Sequence, residues 1–246
     1  MIYEASLEAV FYERIDMEKT ENFGQFLLNR LGRCAHATAG LLICALGTYI
    51  QIQANFGMSP WASLNQGLAL NFPISYGTAS IAVSAIIIGV DLILREPIGI
   101  GTILNAIIIG MGTDVCISLN LYPLQTGLIG QIGTILLGIV LTCFGQYVYM
   151  SAGLSSGPRD SMLVGIGKRF PKIPIGRVNI VILAFVFVVC LFLGSPVGLG
   201  TVIAVFGTGI IMDIVFKVVR FNPRAVVHEG IPDTLAAMMR SLQVNK

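Results

Sequence analysis

The residues in this chain that could do chemistry are few, and most sit where hydrocarbon should surround them. Arg159 and Asp160 stand side by side just after Gly157-Pro158, at a point where a helix can begin. A guanidinium next to the free N–H groups of a helix N-terminus suits an anionic or polar solute. Alternatively, Asp160 caps that helix while Arg159 pairs with Asp213 or rests at the membrane interface. Asp114 and Asp213 lie in apolar runs. A lone carboxylate at the centre of a bilayer costs about 2.5–3.5 kcal/mol, so each must face the interior of a bundle. Asp114 could bind a coupling proton or cation there, or simply bond a neighbouring helix; for Asp213, nearer the helix end, the structural role is the plainer one.

A second cluster surrounds Pro60, with Ser59, Trp61, Asn65 and Gln66. Their amides, together with Gln51, Gln53 and Asn55, could line a polar path or satisfy one another. Trp61 either anchors at a membrane interface or stacks against a solute. Asn105 reads as a helix-to-helix hydrogen bond, and His36 as a lone histidine with a local partner. The cysteines, Cys34, Cys44, Cys116, Cys143 and Cys190, all fall in apolar runs without ligand spacing and read as small core hydrophobes. There is no nucleophile–base set, metal cluster or phosphate loop. No enzyme activity, cofactor, metal or nucleic-acid partner is therefore expected.

The elements that must hold these residues are membrane helices. Only 11% of the residues are charged while 55% are hydrophobic, and the mean hydropathy is +0.83. A soluble chain needs far more charge on its surface. Apolar runs of bilayer-crossing length predict six spans at 31–54, 74–94, 98–120, 127–150, 176–194 and 197–217. Two stretches at 59–71 and 158–169 each open on a proline and end before another, Pro73 or Pro171. They are too short to cross and suit half-helices that dip in and return. The basic residues Arg30, Arg33, Arg95, Arg159, Lys168, Arg169, Lys172, Arg177, Lys217, Arg220 and Arg224 gather on one side of such a six-span arrangement. The connections 55–73, 121–126 and 195–196 carry no charge. By the positive-inside rule both termini are expected in the cytoplasm. An eight-span alternative moves Arg95 and Arg159 outside and fits that rule less well.

The flanks read as peripheral. Residues 1–30 form an acidic segment with a short amphipathic helix (Tyr3, Leu7, Val10, Phe11), not a signal peptide. In residues 221–246, Leu235, Met238, Met239 and Leu242 make a helical stripe that suits a membrane surface. So small a bundle is compatible with a homodimer, though no sequence feature specifies one.

The chain also repeats itself. Gly47, Tyr49, Pro60, Ser63, Gly67 and Pro73 recur 98 residues later as Gly145, Tyr147, Pro158, Ser161, Gly165 and Pro171. Pro97, the Gly-x-Gly-Thr of 99–102 and Asp114 recur 99 residues later as Pro196, the same motif at 198–201, and Asp213. An ordered series of this kind marks a duplication, dividing the chain into repeats at 31–120 and 127–220 joined by a loop at 121–126. Each copy is a span, a half-helix and two spans. Three crossings are odd, so the copies are expected to be inverted, an all-α arrangement with opposed half-helices meeting near the midplane. The Gly-x-Gly-Thr motifs follow no strand and precede no lysine; close helix approach and a tight opening turn explain them better than a nucleotide loop.

These motifs resemble the YczE/YyaS/YitT-type family of bacterial membrane proteins. The resemblance rests on Gly-Met-Ser-Pro-Trp (57–61) with Asn65, Gln66 and Gly67, on Gly-Ile-Gly-Thr-Ile-Leu-Asn (99–105) with Asp114, on Gly-Pro-Arg-Asp-Ser-Met (157–162), and on Gly-Leu-Gly-Thr (198–201) with Asp213. Ala62 stands where the family usually shows an acid. The resemblance implies a bacterial plasma-membrane location and no particular substrate. By analogy with other inverted repeats, the expected function is passage of a small anionic or polar solute through a bilayer-embedded site. The alternative is a non-transporting scaffold or accessory protein acting through its cytoplasmic segments.

Overall fold

A computed structural model describes residues 22–173, 175–221 and 229–244, all of them helix, turn or loop. The proposed N-terminal amphipathic helix lies outside the described residues. Nine helices follow in order: α1 Phe23–Gln53, α2 Pro60–Asn71, α3 Tyr76–Leu94, α4 Ile100–Leu119, α5 Leu128–Ser151, α6 Pro158–Arg169, α7 Ile175–Phe192, α8 Leu199–Val218 and α9 Ile231–Val244. Five of them, α1, α3, α4, α5 and α8, are long and apolar enough to cross a membrane; α7 is apolar and slightly shorter. Large apolar side chains cover the outside, as at Ile93, Ile129, Phe192 and Phe206, which is the surface hydrocarbon requires.

The first helix begins at Phe23, well before the apolar run at 31. Asn22 caps it by accepting from the Gln25 N–H at 3.0 Å. Its polar first turns are tolerable because Glu229 pairs with both Arg30 and Arg33, the latter at 2.9 Å. Arg33 also donates to the carbonyls of Ala152 (2.8 Å) and Gly153 (2.5 Å) at the end of α5.

The spine of the bundle is the crossing of α1 and α5. Hydrocarbon gives helices no reason to associate through apolar burial, so close van der Waals approach must supply the attraction. Gly40 and Gly47 on α1 face Gly138 and Gly145 on α5. A methyl added at Gly40 would stand 2.7 Å from the Gly145 carbonyl oxygen, and one at Gly145 would stand 2.6 Å from that of Gly40. The backbones themselves therefore touch. Around this spine α4 packs on α1, α8 packs on α5, and α3 packs along α4.

The Pro-led helices have the expected bounds. At 12 residues each, α2 and α6 reach about 18 Å, short of the roughly 30 Å hydrocarbon core. The loop before each is held by a Gly-x-Gly-Thr turn from the other half of the chain. Thr102 N–H donates to Ser155 Oγ (2.7 Å), and Thr102 Oγ1 donates to the Ser156 carbonyl (2.9 Å), fixing the approach to α6. Gly200 N–H donates to the Phe56 carbonyl (2.8 Å), fixing the approach to α2. In both turns the glycine N–H bonds back to the threonine hydroxyl, Gly99 to Thr102 at 3.3 Å and Gly198 to Thr201 at 3.1 Å.

From these seats α2 and α6 lean to opposite ends. Asn71 of α2 donates to the Leu193 carbonyl (2.7 Å) at the uncharged end, whereas Lys168 of α6 pairs with Glu96 (2.7 Å) at the basic end. Each lies against both α3 and α7. At the basic end α9 docks on α1, with Ile231 N–H donating to the Ile98 carbonyl (2.8 Å). Ala237 and Ser241 face the bundle, while Leu235, Met238, Met239 and Leu242 remain outward. The stripe is thus free for a bilayer surface, and it is the other face of the helix that meets the protein.

The α1–α5 contact yields a direct expectation. Gly40→Ala forces backbones apart, an overpacking cost of about 1–3 kcal/mol, and should lower the melting temperature in detergent by several degrees. Gly32→Ala, with nothing within 4 Å of the added carbon, should leave it unchanged or slightly raised. Thermal unfolding of the two variants by circular dichroism checks both.

Candidate functional site

A cavity of about 470 Å³ lies where the N-termini of α2 and α6 converge, and every helix from α1 to α8 lines it. Its walls are mostly amide, hydroxyl and apolar groups: Thr48 and Gln51 from α1, Asn105 from α4, Gln146 and Tyr149 from α5, and Asn179 from α7. Of the predicted residues, Ser59, Trp61, Asn65, Arg159 and Asp160 all line it.

Arg159 is half-buried, and its guanidinium carbon stands 5.1 Å from the centre of the Trp61 ring. A cation over an indole face is attracted by about 0.5–2 kcal/mol depending on solvent access. Among the described residues the guanidinium has no hydrogen bond or ion pair, so its five donors are open to the cavity. The expected alternative pairing with Asp213 does not occur. Trp61 is half-buried, and its ring meets Arg159. Asp160 is exposed, and it borders the cavity. Its backbone N–H bonds the Gly157 carbonyl at 3.1 Å, but its carboxylate takes no hydrogen bond among the described residues. Arg159 and Asp160 do not pair with each other either, and they are the only two charged residues in the lining. Asn65 is 1% exposed, and its Oδ1 has no hydrogen-bond partner among the described residues.

Three predicted residues fall elsewhere. Asp114 sits at the start of α3, where Oδ1 accepts from Gly77 N–H (2.8 Å) and Oδ2 from Ser75 Oγ (2.5 Å). It satisfies the N-terminal donors of α3 and binds that helix to α4, the structural one of the two roles expected of it, and it does not line the cavity. Asp213 is exposed on α8 away from the lining, and Gln66 is half-buried on the other side of α2. Gln53 bonds the Tyr122 carbonyl (2.6 Å) and the Tyr49 hydroxyl (3.0 Å), closing the uncharged end.

Sequence reasoning missed Asp91. It is wholly buried on α3, and neither carboxylate oxygen has a hydrogen-bond partner among the described residues. The signal was present: an acid inside an apolar run, one turn before Arg95. Its counterpart 99 residues on is Cys190, whose thiol donates to the Pro60 carbonyl at 3.4 Å.

Apolar helices wrapped around a polar interior define an integral membrane protein. The chain belongs to the family of unknown function DUF6198, whose profile matches residues 31–217. It is similar to the uncharacterized membrane protein YczE of Bacillus subtilis, 34% identical over 71% of this chain and 80% of that protein. An uncharacterized protein of Haemophilus influenzae is 31% identical over 74% of this chain and 83% of its own length. The B. subtilis uncharacterized protein YyaS is 27% identical over 73% and 90%. No solved structure matches the chain. The YczE-type resemblance carried by the Gly-Pro-Arg-Asp and Gly-x-Gly-Thr motifs therefore holds.

The position of Asp114 predicts a structural penalty. Asp114→Ala strands the buried Gly77 N–H, at about 1–3 kcal/mol, and should lower the melting temperature clearly. Asp213→Ala should change it little. Paired thermal-stability measurements in one detergent decide the matter; equal losses from both would reject the capping role.

Proposed function

We propose that this protein carries a small polar or ionic solute across the bacterial plasma membrane, without ATP hydrolysis and without a chemical step of its own. The observation that carries the reading is Arg159: a guanidinium stacked on Trp61 that, among the described residues, makes no hydrogen bond or ion pair, bordering a cavity that helices α1 to α8 line. A charge held so deep is expensive unless it serves a path or a ligand.

The wider reading is a six-span inverted repeat, with α7 as the sixth crossing and the basic end in the cytoplasm. Its support is the series of paired contacts. Trp61 and Arg159, 98 residues apart, are repeat counterparts and meet each other. α2 lies against α7 as α6 lies against α3, and α1–α4 packing has its counterpart in α5–α8. One pair breaks the pattern: α3 and α4 are sealed along their seam, with no comparable packing of α7 on α8 among the described residues. The cavity reaches between these two helices, at Asn179, Leu183, Val205 and Met212. In this reading the protein stands open toward the basic end and closed at the other, which is what alternating access requires of one of its states.

The test is flux in proteoliposomes with a panel of radiolabelled amino acids, organic acids, amines and sugars. At least one solute should equilibrate faster than in protein-free vesicles. Arg159→Ala should cut that flux tenfold or more, and Trp61→Ala should also reduce it. No flux of any panel member, or flux untouched by Arg159→Ala, overturns the reading. One observation favours a second reading: α9 turns an apolar stripe outward, as a helix that holds a partner would. Loss of the cellular phenotype on removing residues 228–246, with vesicle flux intact, would favour an accessory protein.

A further inference from the structure

The chemistry of the cavity wall narrows what it can hold. Its two charged residues are of opposite sign, so the lining is neutral in sum. A solute with a single net charge would satisfy one of them and meet the other as a like charge. A solute without charge would leave both without an ionic partner in hydrogen-bond reach. Arg159 and Asp160 are neighbours in the first turn of α6, and successive helical residues point about 100° apart. Neither makes a hydrogen bond or an ion pair with the other or with another described residue, so each is placed to address a different group of whatever sits between them. A third unpartnered group joins them, the Asn65 Oδ1 acceptor, buried on α2 across the cavity. Apolar side chains complete the wall toward α7 and α8, at Ile182, Leu183, Val205 and Met212.

We propose that the cavity is a binding site for a small zwitterion that carries both a carboxylate and an ammonium group, with an apolar substituent. The carboxylate meets the Arg159 guanidinium, where the fork geometry allows two parallel hydrogen bonds. The ammonium meets the Asp160 carboxylate and donates to Asn65 Oδ1. The substituent lies against the α7–α8 wall. A volume of about 470 Å³ is in the range of small-molecule sites and far above what a single ion fills. This assignment names the ligand class of the site that the transport reading invokes, but binding and flux are separate measurements.

Three probes of one carbon skeleton make the test: leucine, isocaproate, which lacks the ammonium, and isoamylamine, which lacks the carboxylate. Isothermal titration of the purified protein in detergent should show leucine binding at least tenfold tighter than either. Asp160→Asn should remove the advantage of leucine over isocaproate, and Arg159→Gln its advantage over isoamylamine. Asn65→Leu should weaken leucine and isoamylamine together and spare isocaproate. Equal binding of leucine and isocaproate to the unmodified protein overturns the proposal, whatever the variants do, and so does the absence of binding by all three. Selective leucine binding without flux of any solute in vesicles would uphold the ligand class and reject the carrier.

Discussion

The starts of α4 and α8 leave early N–H groups that their own helices cannot satisfy, and the dry interior of a bundle offers them no water. The two Gly-x-Gly-Thr turns meet that constraint. Each holds the loop before a half-helix by backbone and hydroxyl hydrogen bonds, Thr102 through Ser155 and Ser156, and Gly200 through Phe56. The glycines matter because a methyl at Gly200 would stand 2.7 Å from the Gly57 carbonyl oxygen, and one at Gly101 would stand 2.9 Å from Ser155 Oγ. Only a bare backbone lets the loop come close enough to bond. The threonine side chain then returns a hydrogen bond to the turn, so the seat is satisfied on both sides. The lining of the cavity depends on these two seats, since they hold the loops from which Pro60 and Pro158 start their helices.

Those helix starts concentrate polar groups at one depth. Charges and amides that would be costly against lipid are gathered where they face one another or a shared cavity, and the outside of the bundle is left to Ile, Leu, Val and Phe. The charged residues divide by position. Glu96 and Glu229, each buried or half-buried, are matched to Lys168 and to Arg30 and Arg33 at the basic end. Asp114 is matched to the amide and hydroxyl donors at the start of α3. Arg159 and Asp160 alone among the cavity residues carry charge; Arg159 lies over the Trp61 ring, and among the described residues neither charged group makes a hydrogen bond or an ion pair. The Asp91 carboxylate, buried on α3, is likewise without a hydrogen-bond partner among them.

Much of this was legible in the chain. Pro60 and Pro158 mark the half-helix starts because a ring-locked φ and a missing N–H suit the first helical position, an effect of one residue on its own neighbourhood. Both helices begin where those prolines stand and end within a few residues of the next. The start of α1 at Phe23 was not legible, since Asn29, Arg30 and Arg33 interrupt the apolar run and the groups that tame them lie far away, Glu229 at 199 residues from Arg30. Asp91 escaped notice for a related reason: its proximity to Arg95 reads as an ordinary helix end, and only packing buries it on every side.

The sequence by itself determined that the chain has helices apolar enough to cross a membrane, that its motifs recur in order 98 or 99 residues on, and that two short helices open on Pro60 and Pro158. Hydropathy, proline geometry and internal similarity all act within a stretch of chain and need no knowledge of neighbours. Tertiary structure alone decided which polar residues share a site. It brought Trp61 and Arg159 ring to guanidinium from 98 positions apart, and it withdrew Asp114 to the end of α3. The Pro-Trp and Gly-Pro-Arg-Asp clusters that first drew notice have become the two sides of one cavity. Their meeting depends on the approach of α1 to α5 and on the two threonine seats, contacts between distant segments that no local pattern encodes.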